Sequence, residues 1–250
     1  MKNQNEQTFK KTSRIRRIAA CIIDLLVMTF LMIGIAAIAL GSDFIDKYEI
    51  SYIHTVLLLI VISGLILYFS KDSYRGISVG RWIMGIMVRN ESDNQVPSYI
   101  RLFIRNLFTI IWPVEFIVLL VNDDKKRIGD KVSETIVLRN PKKPKRIIRI
   151  GTLIFIGICF YFFADFYGGA IITNSEAYEI TVDSISKNEK ILEETGGILG
   201  YGGLEGSISV NDEIGKAEFK IKVIGKENDV VVNVYLEKEP NQKWVIKEMK

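Results

Sequence analysis

RIRRIAACIIDLLVMTFLMIGIAAIAL, Arg14 to Leu40, is the stretch on which the reading of the whole chain turns. Arg14, Arg16 and Arg17 stand at its mouth, and after Asp24 sixteen residues pass without a charge. About 20 consecutive apolar residues suffice for a helix to cross a bilayer, so this run predicts a transmembrane helix. It is longer than the roughly 7 to 15 residues of a signal-peptide core, which favours a retained helix over a cleaved leader. The acid inside it is the anomaly. A carboxylate below the interface costs roughly 2.5 to 3.5 kcal/mol on insertion scales, which makes Asp24 a candidate for pairing or for function. Arg17 and Asp24 are seven residues apart. Two helical turns put them on one face, with the acid about 10 Å deeper.

Outward from this stretch, 48% of the 250 residues are hydrophobic and 25% are charged. Such a chain is too apolar for an ordinary soluble protein and too charged for membrane helices alone, so a membrane part plus a soluble part is expected. The net charge of +4 hides an asymmetry, because residues 171–250 hold 15 acids against 10 bases while residues 1–150 are basic. A basic half beside membrane helices belongs next to anionic lipid, and no nucleic-acid role is expected. Cys21 and Cys159 both fall in apolar runs, where a thiol behaves as a small hydrophobe. Neither suggests a disulfide or a metal site. The single histidine, His54, opens the second apolar run and reads as an interfacial polar residue. No cofactor is expected.

Residues 1–17 are basic and are placed in the cytoplasm by the bias of positive loops to that side. The loop GSDFIDKYEIS carries three acids against Lys47 and suits the outer face, so a second span at about 53–70 returns the chain. IMGIMVRN then reads as a strand ending in a polar turn. The apolar run at about 102–121 leaves two alternatives. It crosses once, putting the ten Lys and Arg of residues 122–149 outside, or it dips in and returns at Trp112-Pro113 with that loop inside. The re-entrant hairpin is preferred, with Arg101 and Arg105 snorkelling on one face and Glu115 at the break. The strand ETIVLRN is expected to pair with IMGIMVRN. A basic linker at 140–149 leads to a further transmembrane helix at 150–172, whose Tyr161, Phe162, Phe163, Phe166 and Tyr167 form an outer aromatic belt.

Residues 173–250 read as an extracytoplasmic α+β domain. Asn174 or Ser175 caps a helix that Gly196-Gly197 closes, and a Gly-rich turn follows. GSISVND, KAEFKIKVIG, DVVVNVYLEKE and KWVIKEM alternate in period two and predict an antiparallel sheet of about four strands under one helix. The domain has neither His nor Cys, and no nucleophile paired with a base. No catalysis is expected, and a binding or assembly role with an envelope protein partner is.

Residues 14–139, with the membrane domain proper at 18–139, resemble the RDD family of bacterial membrane proteins, called after an arginine and two aspartates. The matching pieces are RIAACIID with Arg17 and Asp24, and GISVGRWIMGIMV with Gly76, Ser78, Gly80, Gly85 and Arg81. RLFIRNL with Arg101 and Arg105, and KRIGDKVSETIV with Arg127, Gly129, Asp130 and Thr135, complete them. The resemblance implies a bacterial cytoplasmic membrane protein, with ion or small-molecule transport among the suggested roles. The C-terminal part is similar, more loosely, to the cytochrome oxidase assembly protein 1 domain, through its helix ending in ETGG, GLEGSISV, GKAEFKIKVIGK and a closing KWVIKEM with Trp244. That similarity implies a binding or assembly module.

For the cluster Arg17, Asp24, Arg81, Arg127 and Asp130 two readings follow. It forms an ion or proton path, with a homo-oligomer supplying the pathway, or its pairs lock helices to cytoplasmic loops. The lock is preferred, because transport needs more polar groups at membrane depth than Asp24 and Glu115. Gly76, Gly80, Gly85 and Gly129 are expected to serve close packing and tight turns; GISVGRWIMG lacks the strand-loop-helix context of a phosphate site.

Overall fold

The computed structural model describes residues 10–211, 214–240 and 242–250. Residues 1–9 of the basic N-terminal segment fall outside these, as do Asp212 of the expected GSISVND strand and Asn241. In chain order the first elements are α1 (Arg14–Leu40), the short α2 (Phe44–Lys47), α3 (Ile50–Ser70), α4 (Val79–Met84) and β1 (Ile86–Asn90). There follow α5 (Tyr99–Leu107), a 3-10 turn (Phe108–Ile111), α6 (Trp112–Val121), α7 (Ile128–Val132) and β2 (Thr135–Arg139). The long α8 (Arg146–Thr173) precedes α9 (Glu176–Ser186), α10 (Glu189–Thr195) and the strands β3 (Ile198–Asn211), β4 (Ile214–Gly225), β5 (Val230–Lys238) and β6 (Val245–Met249).

Four helical runs among the described residues are long and apolar enough to cross a membrane: α1, α3, Tyr99–Val121 and α8. Each begins three or four residues before the expected apolar span, because the helical backbone continues through flanking polar residues such as Arg14 and Arg146. Their surfaces are those of helices made for lipid. Leu25 and Leu26 of α1, Leu58 and Leu59 of α3 and Phe155 of α8 are exposed, and α8 buries no residue at all.

The chain divides into two compact units, one of Met1–Ile35 with Leu58–Phe160 and one of Ala36–Leu57 with Tyr161–Lys250. In the first, α1 and α3 run antiparallel in contact. Met32 lies against Gly64, whose missing side chain leaves it room, and Cys21 Sγ is 3.5 Å from Tyr68 Oη. β1 and β2 pair antiparallel, with Ile86 opposite Arg139 and Asn90 opposite Thr135. Residues 10–12 lie along the other edge of β2, where Thr12 N donates to Val137 O at 3.3 Å. The expected pairing of the two distant strands is thus present, with an N-terminal edge that the alternation pattern did not signal.

Tyr99–Val121 is helical throughout but not uniform. The 3-10 turn and Ile111, at φ −92 and ψ 43, separate α5 from α6, which starts with Pro113 in its first turn. Both ends of this run touch the same end of the α1–α3 pair. Tyr99 Oη is 2.9 Å from Ser70 Oγ, and Asn106 Nδ2 donates to Phe69 O at 2.9 Å. At the other end, the Arg14 guanidinium at the start of α1 donates to Leu119 O and Asn122 O at 3.1 and 2.9 Å.

In the second unit the C-terminal strands form a four-stranded antiparallel meander in the order β3-β4-β5-β6. β4 buries Ala217, Phe219, Ile221 and Val223 on one face and exposes its alternate residues, the period-two pattern of a half-covered strand. Val232, Val234 and Leu236 of β5 join that face, and Ala177, Ile185, Ile191 and Trp244 close the core. Two features depart from expectation. The single helix is two, because Asn188 turns its side chain to cap Lys190 N and Ile191 N and starts α10 afresh. The Gly-rich segment read as a turn is the first half of β3, where irregularities at Ile198/Gly200 and Gly202/Glu205 absorb the extra residues. Within the same unit Tyr167 Oη donates to Gly41 O at 2.7 Å, and Asp46 Oδ2 accepts from Glu176 N at 2.8 Å.

Candidate functional site

Asp24 is buried, and its carboxylate is fully engaged. α4 begins at Ser78, whose hydroxyl caps the helix by accepting from Arg81 N and donates to Asp24 Oδ2 at 2.7 Å. Gly80 N donates to Asp24 Oδ1 at 2.6 Å, and Lys71 Nζ is 3.5 Å from Oδ2. Gly80 permits this approach, since a Cβ there would overlap Ala20 O on α1. A buried carboxylate is tolerable when hydrogen bonds and a counter-charge replace water, and Asp24 has both.

Asp72, just past the end of α3, is completely buried and pairs with Arg81 of α4. Its other oxygen accepts from Arg105 Nη1 at 3.2 Å and Asn106 Nδ2 at 2.9 Å, both on α5. Arg105 reaches on with Nε to Asp130 Oδ1 at 2.7 Å. Asp130 Oδ2 takes Arg17 from α1 and the backbone N–H of Arg127 at 2.9 Å, which ties down the first turn of α7. Glu115 of α6 accepts from Gly129 N at 2.7 Å and lies 3.5 Å from Arg127 Nε. Gly129 is required here because a Cβ would strike Arg105 O. One continuous set of charges therefore staples α1, the end of α3, α4, α5, α6 and α7. Gly76 and Gly85 serve the local turns instead, at φ +69 and +66, with Gly85 closing α4.

Charge and burial oppose one another throughout the cluster. For Asp130 burial favours the neutral acid, but Arg17, Arg105 and Arg127 together hold the carboxyl well below the usual range. Lys71 shows the opposite outcome. Its burial pushes the ammonium down to about 7, with Asp24 only partly resisting. The ammonium also sits 3.5 Å from the centre of the Tyr68 ring.

All five expected cluster residues, Arg17, Asp24, Arg81, Arg127 and Asp130, are buried in this one region; the Arg17–Asp130 pair is one of the pairings the lock allows, whereas the ion-pair partner of Asp24 is none of Arg17, Arg81 and Arg127. Arg17 goes to Asp130, not to Asp24 two turns along its own helix, and Asp24 pairs with Lys71. Arg105 does not snorkel; it is 1% exposed and joins two carboxylates, while Arg101 on the same helix stays at the surface with Glu134. Lys71, Asp72 and Asn106 were missed. An acid directly after an apolar span was the available sign of Asp72.

Among the described residues no group of three His, Cys, Asp or Glu is arranged to hold a metal ion. No curated protein and no solved structure matches the chain. Residues 12–134, which contain every member of the charge cluster, match the family model described as the RDD family, and in that segment the chain is similar to RDD proteins.

Proposed function

We propose that this is an RDD-type multi-pass protein of the bacterial cytoplasmic membrane, in which the N-terminal part is a charge-locked anchor. Residues 173–250 are then a non-catalytic binding or assembly module held outside the cytoplasm. The observation that carries the reading is the engagement of all four carboxylates buried among the described residues: Asp24, Asp72, Glu115 and Asp130 each have a cation and a further hydrogen-bond donor as partners. Groups so paired hold elements in register, a role known for buried ionic sets. Transport through the cluster would require Asp24 to leave Ser78, Gly80 and Lys71 in each cycle, which gives that reading less support.

The basic loops and the N-terminal end of α1 favour the cytoplasmic side. The return of Tyr99–Val121 to the end of the α1–α3 pair where it began supports a re-entrant segment with residues 122–149 inside. With Cys21 and Cys159 removed, Gly200→Cys is labelled by a membrane-impermeant thiol reagent in intact cells and Asp123→Cys is not. Labelling of both refutes the topology. Crosslinking from residues 173–250 in intact cells tests the binding role: a defined envelope protein is expected, and recovery of lipid or of this chain alone refutes it. A flux in reconstituted vesicles that Asp24→Asn abolishes, without loss of folded protein, would establish transport instead.

A further inference from the structure

The buried cluster does not balance. Among the described residues, and below about pH 7 where Lys71 keeps its proton, it holds five cations, Arg17, Lys71, Arg81, Arg105 and Arg127, against the four carboxylates Asp24, Asp72, Glu115 and Asp130. One unmatched positive charge away from water is costly unless something pairs with it. Between the cations lies a cavity whose free space, about 10 Å³, is that of one water-sized body. All five bases line it, and none of the four acids does. Among the described residues, three guanidinium nitrogens of the lining have no hydrogen-bond partner, Arg17 Nε, Arg81 Nη1 and Arg105 Nη2; Arg81 Nη1 is ion-paired with Asp72, which leaves Arg17 Nε and Arg105 Nη2, on side chains 5% and 1% exposed. Buried donors in folded proteins are almost always satisfied, so these two call for an acceptor.

We propose that this cavity binds a small monovalent anion of the halide class, with chloride as the physiological example, which satisfies Arg17 Nε and Arg105 Nη2 and neutralises the surplus charge. A water fits the volume less well chemically, since its two protons need acceptors and every charged side chain on the wall is a donor. A chloride is somewhat larger than a water, so the guanidinium groups must move outward slightly to admit it; a phosphate group, free or from a lipid, is far too large. The role is that of a keystone for the helix–loop arrangement. It depends neither on the orientation of the protein in the membrane nor on a partner for residues 173–250.

The test uses the full-length protein in detergent at pH 6, with sodium chloride exchanged for sodium gluconate at constant ionic strength. The unfolding midpoint is expected to rise with chloride by about 3 °C per tenfold increase above the dissociation constant. Bromide substitutes for chloride and sulfate does not. Lys71→Met, which removes the surplus charge and leaves Asp24 with Ser78 and Gly80, abolishes the dependence. Because that variant also loses an ion pair, a second measurement needs no substitution: crystals grown in bromide should show an anomalous peak within hydrogen-bonding distance of Arg17 Nε and Arg105 Nη2. Equal midpoints in chloride and gluconate, or a cavity without bromide, overturn the proposal.

Discussion

The two ends of this chain are held together by opposite means. Around Asp24, Asp72 and Asp130 the largest buried network is ionic, beside a small apolar cluster of Ala20, Ile86 and Val137, and most of the large apolar side chains of α1, α3 and α8 point outward. Around Phe219, Val234 and Leu236 the buried contacts are apolar, and ion pairs such as Lys222–Asp229 sit at the surface. The solvent accounts for the inversion. Lipid tails are as apolar as leucine, so helices in a bilayer gain little by burying leucine against leucine, and packing and polar contacts must join them. In water the same burial contributes about 25 cal/mol per Å².

The contrast breaks most readily at its centres. Asp130→Asn keeps the side-chain volume but leaves Arg17 and Arg105 without their shared counter-charge, a loss of about 3 to 5 kcal/mol for a broken buried pair. Leu236→Ala costs about 2 to 5 kcal/mol through the lost burial and the cavity left behind. Hydrogen exchange read by segment should show α5 to α7 deprotected in the first variant and β4 and β5 in the second. Loss of protection in β4 from Asp130→Asn would show that the two regions do not stand independently.

Legibility in the sequence followed the same division. The membrane helices were readable because unbroken apolar length is a long-range signal that no neighbour alters. The strands β4 and β5 were readable because one face is wet and one is dry, which writes period two into residues 216–224 and 230–236. Partners in the charge cluster were not readable, because an ion pair depends on which loops meet, and Lys71 and Asp72 stand just past a span where charges are ordinary. Asp24 stood out through its depth, yet depth does not say that Ser78 and Gly80 on α4 will receive it. The break between α9 and α10 escaped because apolar spacing continues across it, although Asn188 is a good cap.

Lys71 makes the comparison sensitive to pH. Its folded midpoint, about 7, lies below its ordinary value of 10.5, so between these values the unfolded chain holds a proton that the folded chain has released. Stability therefore rises with pH across that window, by at most about 1.4 kcal/mol per unit. The groups facing the ammonium act in both directions, Asp24 in favour of its charge and Arg81 and Arg127 against. The unfolding midpoint of α1 to α7 should climb from pH 7 to pH 9, and Lys71→Met should flatten that climb. Strands β3 to β6 serve as the internal control.

The smallest effect gives the sharpest contrast, because it compares two arginines one helical turn apart on α5. Arg101 pairs with Glu134 at 3.2 Å, but their side chains are 43% and 72% exposed. Water screens such a pair and side-chain entropy opposes it, so Arg101→Ala should change stability by no more than about 1 kcal/mol, and less at high salt. Arg105 pairs with carboxylates on both sides and is 1% exposed, so Arg105→Ala leaves Asp72 short of one partner and Asp130 short of another, with no water to replace them. That loss should exceed the first several-fold and persist at high salt, where screening cannot reach. Thermal unfolding of both variants at low and high salt separates burial from charge as the cause. If Arg101→Ala proved as costly as Arg105→Ala, the helix would depend on its positive charge at the surface, and the buried network would lose its claim to hold this region together.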